Sequence, residues 1–159
     1  MTTSFKKAFI NKDYLVKFVD YDGKNYFQLI SEQSTLGNRQ IIINSKLILL
    51  LTEYFFSNKN FNIIEINLAN NEDDSYVEKI NEQANNINEN RKYFDLFKQE
   101  LEKFCTEDSI EISGINLKDK KSIITLKSNG ILTIHGKLDY EILCELEGII
   151  GSYFYEANK

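Results

Sequence analysis

Hydrophobic and polar positions alternate in several short runs of this chain and recur every third or fourth residue in others, and these changes of period mark its predicted elements. Over residues 14–31 the alternation is centred on Asp22-Gly23. That dipeptide supplies the two positive φ angles of a type I′ turn, so the segment reads as a tight hairpin. With Tyr21 opposite Lys24, one face carries Val16, Phe18, Phe27 and Leu29 as core. The other carries Lys17, Tyr21, Lys24, Tyr26 and Gln28. A third strand is predicted over 40–43, followed by a helix over 46–56 that Asn44 or Ser45 can cap and whose apolar residues run almost all round it. Residues 61–68 read as a further strand with Ile64, Ile66 and Leu68 on one face.

Ser75 and Glu78 have the spacing of a capping box, which opens a long polar helix. Its apolar stripe is Val77, Ile80, Ala84, Ile87, Phe94, Phe97, Leu101 and Phe104. The Asn-rich stretch 85–90 holds poor helix formers and is where that helix would break or bend. After a strand over 110–117, residues 122–135 form a second hairpin around Asn129-Gly130. A two-residue loop there scatters the apolar side chains over both faces. A three-residue loop, with Gly130 left-handed, aligns Ile124, Leu126, Leu132 and Ile134 on one face and puts His135 on the other beside Ile123. Asp139 then caps a final helix bearing Ile142, Leu146, Ile149 and Tyr153, with Leu138 placed to staple against Leu143.

The expected fold is therefore α+β: an antiparallel sheet of about six or seven strands with three main helices, two hairpin-helix halves joined by a long polar helix. Composition leaves that picture intact. The chain of 159 residues is of single-domain length, has no proline and little glycine, and shows no linker, so one domain over 1–159 is expected. The longest apolar run, 47–51, is too short to span a bilayer, and no apolar stretch of signal-peptide length follows Lys6 and Lys7. With only Cys105 and Cys144, at unrelated spacing, reduced and buried thiols in a cytoplasmic protein are expected. The abundance of Asn, Ile and Lys reads as AT-rich coding rather than as function.

Charge changes the picture more. Residues 61–108 hold twelve Asp/Glu against five Lys/Arg, while 1–60 hold five against eight. An acidic middle argues against a general nucleic-acid coat and suits a basic protein partner. Exposed Glu78, Glu82 and Glu89, spaced by four and seven along the long helix, can line one side of it as a partner-binding row.

Catalytic and metal motifs are missing from the sequence, so no catalytic residue, metal or cofactor is predicted. Asp20-Tyr21-Asp22-Gly23 opens like a calcium loop, but Lys24, Asn25 and Ser31 stand where an oxygen ligand, a glycine and a glutamate are needed. His135 is the only histidine, which excludes a His-His metal pair. The acidic run Glu72, Asp73 and Asp74 reads as solvated complement to a helix dipole.

Lys17, Tyr21, Lys24 and Tyr26 interleave aromatic and basic side chains on one sheet face, the pattern that stacks bases and neutralises phosphates. The strand-strand-strand-helix order of 14–31 followed by 39–56 resembles one repeat of the PUR family of single-stranded nucleic-acid-binding proteins. That resemblance covers about a third of the chain and implies base stacking on this face. The leading expectation is instead a non-catalytic, inhibitory protein binder that occludes a basic partner, in the manner of bacterial toxin-neutralising immunity proteins. Single-strand binding is the alternative.

Overall fold

The computed structural model describes residues 2–69 and 74–159, which gather into two compact units. One is built from residues 1–43 and 121–159, the other from 44–120. Together they hold seven strands and five α-helices, and the strand pairs within each unit are antiparallel.

In the first unit β1 (Thr3–Ile10) pairs with β2 (Val16–Tyr21) on one side and with β7 (Ile131–Gly136) on the other. Strand β6 (Ser122–Lys127) lies beyond β7, and the short β3 (Arg39–Gln40) joins β1 at Phe9 and Ile10. Alternation then selects one buried face: Ala8, Ile10, Val16, Phe18, Ile124, Leu126, Leu132 and Ile134. Helix α5 (Tyr140–Ala157) lies against β2, buries Ile142, Leu146 and Ile150, and uses the Glu147 carboxylate to accept the Phe18 N–H at 2.8 Å. The stripe on α5 is turned one residue from expectation, because Ile150 rather than Ile149 is buried. Asp139 precedes α5 as predicted, but its backbone carbonyl, not its carboxylate, accepts the N–H groups of Ile142 and Leu143.

The second hairpin is as predicted. Leu126 faces Leu132, Ile124 faces Ile134, Ile123 faces His135, and Gly130 sits at φ +80 in the three-residue loop.

The first hairpin is not formed. Strand β2 stops at Tyr21, and α1 (Tyr26–Thr35) occupies what the alternation assigned to a strand. The Asp22 carboxylate accepts the N–H groups of Lys24 at 2.9 Å and Asn25 at 3.0 Å, a side-chain turn that winds the backbone toward a helix instead of reversing it as a ribbon. Phe27, predicted core, is 84% exposed, while Leu29 is buried from the helix. The true partner of β2 is β1, in register from Phe5 opposite Tyr21 to Ile10 opposite Val16. Period-two reasoning misses β1 because Lys7, Ala8, Phe9 and Ile10 are all buried, so its second half does not alternate.

In the second unit, α2 (Ser45–Glu53) starts where the Asn44 side chain accepts the Leu47 N–H at 2.9 Å and runs on into a π-helical turn, Tyr54–Asn58. Strands β4 (Asn62–Leu68) and β5 (Ile112–Lys118) pair with a β-bulge between Ile63 and Glu65. The bulge resets the alternation, so Ile63 and Ile66 are buried and Ile64, expected in the core, is exposed. The long helix breaks at the end of the Asn-rich stretch, where a break or bend was expected, giving α3 (Asp74–Glu89) and α4 (Phe94–Glu107), separated at Asn90 and a 3₁₀ turn, Arg91–Tyr93. Ser75 therefore lies in the first turn rather than at the cap, and Glu72 and Asp73 fall outside the described residues. The stripe itself is right, with Ile80, Ala84, Ile87, Phe94, Phe97 and Leu101 buried.

Arg91 fixes the break. Its guanidinium lies 3.7 Å from the centre of the Phe56 ring and donates to Asn62 Oδ1 at 2.8 Å and to the Phe56 and Phe61 carbonyls, thereby satisfying carbonyls around the π-helical turn. Burial lowers its pKa from the usual arginine value. Among the described residues, no helix is long and apolar enough to cross a membrane.

Candidate functional site

Glu78, Glu82 and Glu89 are all exposed and lie on the side of α3 away from buried Ile80, Ala84 and Ile87, as a spacing of four and seven on a 3.6-residue helix requires. The structure brings them together along one helix. Their unit, 44–120, carries fifteen Asp/Glu against nine Lys/Arg. Beside the row, α3 and α4 enclose an open groove of about 380 Å³. Ile87 and Phe97 form apolar lining, Tyr93 and Leu96 stand 47% and 64% exposed, and Gln83 and Glu100 supply polar atoms. Gln83 Nε2 donates to Glu100 at 3.1 Å, and Lys79 approaches the same carboxylate at 3.7 Å. Further along α4, Lys98 donates to Glu53 on α2, and that hydrogen bond raises the Lys98 pKa against the lowering effect of burial.

Tyr93 and Leu96 were absent from the sequence-based site. The signal for them was present: Tyr93, Leu96 and Glu100 recur at spacings of three and four beside the buried stripe, a second edge that a search for one apolar stripe passes over.

The other predicted surface is rearranged. Tyr21 and Tyr26 do meet, with ring centres 5.2 Å apart, but Tyr21 ends β2 and Tyr26 begins α1. Phe5 and Phe27 extend the chain of rings at 6.1 Å and 5.6 Å. Lys17 is exposed on β2 opposite Phe9, and Lys24 is exposed in the turn. Lys7 does lie by these rings, 5.7 Å from the centre of Tyr26, but it is 1% exposed and donates to the Asn129 carbonyl at 2.6 Å. Asp20, Asp22 and Glu32 line a recess of about 450 Å³ next to Tyr21. Burial, and secondarily Tyr26, raises the Tyr21 pKa above the usual 10.0. The strand-strand-strand-helix order behind the likeness to a PUR repeat is not the observed order, which runs β2, α1, β3, α2. A PUR-like sheet surface is thus replaced by a strand end and a helix start.

The comparisons add no family. No family model, curated protein or solved structure matches the chain.

Among the described residues, no group of three or more His, Cys, Asp and Glu is placed to hold a metal ion. His135 is exposed, with Nδ1 2.8 Å from Thr3 Oγ1. Neither cysteine forms a disulfide, and against the expectation of buried thiols Cys105 is half-buried and Cys144 exposed. It lies one helical turn from Tyr140, whose pKa is raised chiefly by a hydrogen bond to the Cys144 side chain.

Proposed function

We propose that the protein is a non-catalytic binder of a basic protein partner, which it occludes with the α3–α4 helical hairpin. The observation that carries this reading is the exposed row Glu78, Glu82 and Glu89 running beside a groove with exposed Tyr93 and Leu96. An apolar anchor edged by charge of one sign is what a complementary interface needs, since the anchor contributes affinity and the charges steer approach. Neutralising a basic toxin is one form such a role takes.

The reading is tested by affinity capture from the native host followed by mass spectrometry, with wild type and the variant E78K/E82K/E89K as parallel baits. Recovery of a basic protein by wild type at low salt, lost at high salt and in the variant, is expected. Equal recovery by both baits counts against the acidic helix.

A second reading, single-strand binding, is supported by the ring series Phe5, Tyr21, Tyr26 and Phe27. It stands second because Asp20, Asp22 and Glu32 flank those rings, and carboxylates repel a phosphate backbone. Tyr21→Ala with Tyr26→Ala should weaken binding by about 1–3 kcal/mol per stacked base. Mixed single-stranded oligonucleotides that show no binding to wild type at low salt exclude it.

A further inference from the structure

Strand β4 pairs with β5 on one side and meets α3 on the other. Toward α3, two of its peptide groups are paired by side-chain amides. Ile63 N–H donates to Asn88 Oδ1 at 2.8 Å, and Asn88 Nδ2 donates back to the Ile63 carbonyl at 2.7 Å. Ile66 N–H donates to Asn81 Oδ1 at 2.8 Å, and Asn81 Nδ2 donates back to the Ile66 carbonyl at 3.2 Å. Each asparagine thus does for one strand residue what a neighbouring strand does.

The two lattices match in length. Asn81 and Asn88 are seven residues apart, about 10.5 Å along a helix. Ile63 and Ile66 are three apart, about 10 Å along a strand. Peptide groups three residues apart ordinarily point to opposite edges, and the extra residue of the bulge between Ile63 and Glu65 turns both to the same one. Helix and strand run antiparallel, so both pairs form at once. The Asn81 amide also donates to the Val77 carbonyl at 3.0 Å, which holds its orientation.

The edge covered in this way is an isoleucine-rich strand whose only charge is Glu65. A strand of that kind with a free edge is a template for another strand. We propose that the β4 edge is a latent self-association surface that takes β4 of a second copy of this chain, and that Asn81 and Asn88 keep it closed by holding α3 along it. Antiparallel pairing centred on Ile66 sets Glu65 against the second copy's Asn67, so the lone charge does not oppose itself. The proposal is independent of the partner reading above, because it concerns the inner side of α3 and not the glutamate row.

The test replaces both amides by leucines of similar size, N81L/N88L, with Asn85→Leu on the exposed side of the same helix as control. Light scattering across a concentration series gives mass, and exchange of the Ile63 and Ile66 amides gives the state of the edge. In N81L/N88L both amides should exchange about tenfold faster when dilute, the loss of one hydrogen bond each. At higher concentration the mass should rise with protection of both amides restored, while N85L follows wild type. Wild-type exchange without association overturns the proposal, as does association with the two amides still fast or equal association of N85L. Should the double variant not fold, Asn88→Leu alone removes the acceptor for the Ile63 N–H and leaves the Asn81 pair on Ile66 in place. Faster exchange at Ile63 with Ile66 unchanged supports the clamp, and unchanged exchange at both positions overturns it.

Discussion

Asp22-Gly23 and Asn129-Gly130 are nearly the same dipeptide, each set between residues of alternating polarity, and they do opposite things. At Asn129-Gly130 the chain reverses into paired strands with Gly130 at φ +80. At Asp22-Gly23 the glycine stays out of the left-handed region and the chain enters a helix. The residues after each glycine decide the outcome. Ile131, Leu132, Thr133 and Ile134 are strand formers whose alternation matches that of β6 residue for residue. After Gly23 the run Gln28, Leu29, Ser31 to Gln33 favours helix, with Gln28 donating to Glu32 at 3.0 Å one turn on. The turn dipeptide specifies a change of direction, and the flanks specify what it joins.

The comparison breaks most readily at the glycines. A Cβ on Gly130 would sit 3.0 Å from the Ile41 carbonyl oxygen in a left-handed backbone, so Gly130→Val should cost about 1–3 kcal/mol in urea unfolding. A Cβ on Gly23 would meet nothing within 4 Å, and φ there is ordinary, so Gly23→Ala should be neutral or stabilise by about 0.4–1 kcal/mol. Equal losses at the two sites would erase the distinction.

Lys7 sharpens the comparison from the side of the second turn, because its ammonium donates to the Asn129 carbonyl in a buried position. Lys7→Met leaves that carbonyl without its donor and should lower stability by about 1–2 kcal/mol, with faster exchange in the 128–130 loop. Retained stability would show that the turn closes unaided.

At the first turn, Asp22→Ala removes the acceptor for Lys24 and Asn25 and should cost about 1 kcal/mol, read as faster exchange of those two amides and a frayed start to α1. A switch to strand signals in 26–30 would instead show that Asp22 alone suppresses the hairpin.

The smallest effect is electrostatic. Tyr26→Phe should bring the Tyr21 titration part of the way back toward 10.0, because burial is the larger cause and persists. A raised tyrosine pKa contributes stability that is whole below pH 10.0 and is lost as pH climbs through the folded value, so the variant should lose less stability above pH 10. Phenolate absorbance against pH checks it.

Much of the second unit was legible because its stripes are long. Asn44 as cap, the buried run on α2 and the stripe from Ile80 to Leu101 all rest on repeated helical spacing. Ile64 was misplaced because a bulge leaves no mark in composition. Strand β1 was invisible because burial on both faces removes alternation. Glu78, Glu82 and Glu89 were readable as exposed positions on a helix, whereas the groove depends on where that helix breaks. Asn81 and Asn88 were lost in an asparagine-rich composition that carries no sign of which amides meet a strand.

Strand β1 also sets a timetable for synthesis. Its register places Thr3 beside His135, 132 residues later, while β2 comes within a short turn of it. At about 5–20 residues per second the ribosome needs roughly 7–26 seconds to deliver β7, against microseconds for a hairpin to form. During that interval the apolar half of β1 has only β2 and the two-residue β3 beside it, and so small a sheet is marginal in water. The contiguous stretch 44–120 emerges complete before β7 does, so the middle of the chain can fold ahead of its beginning. Protease added to ribosomes stalled shortly after β5 has cleared the exit tunnel should cut within 3–21 and spare 44–69 and 74–118. Early protection of 3–21 would mean that β1 finds another shelter while it waits.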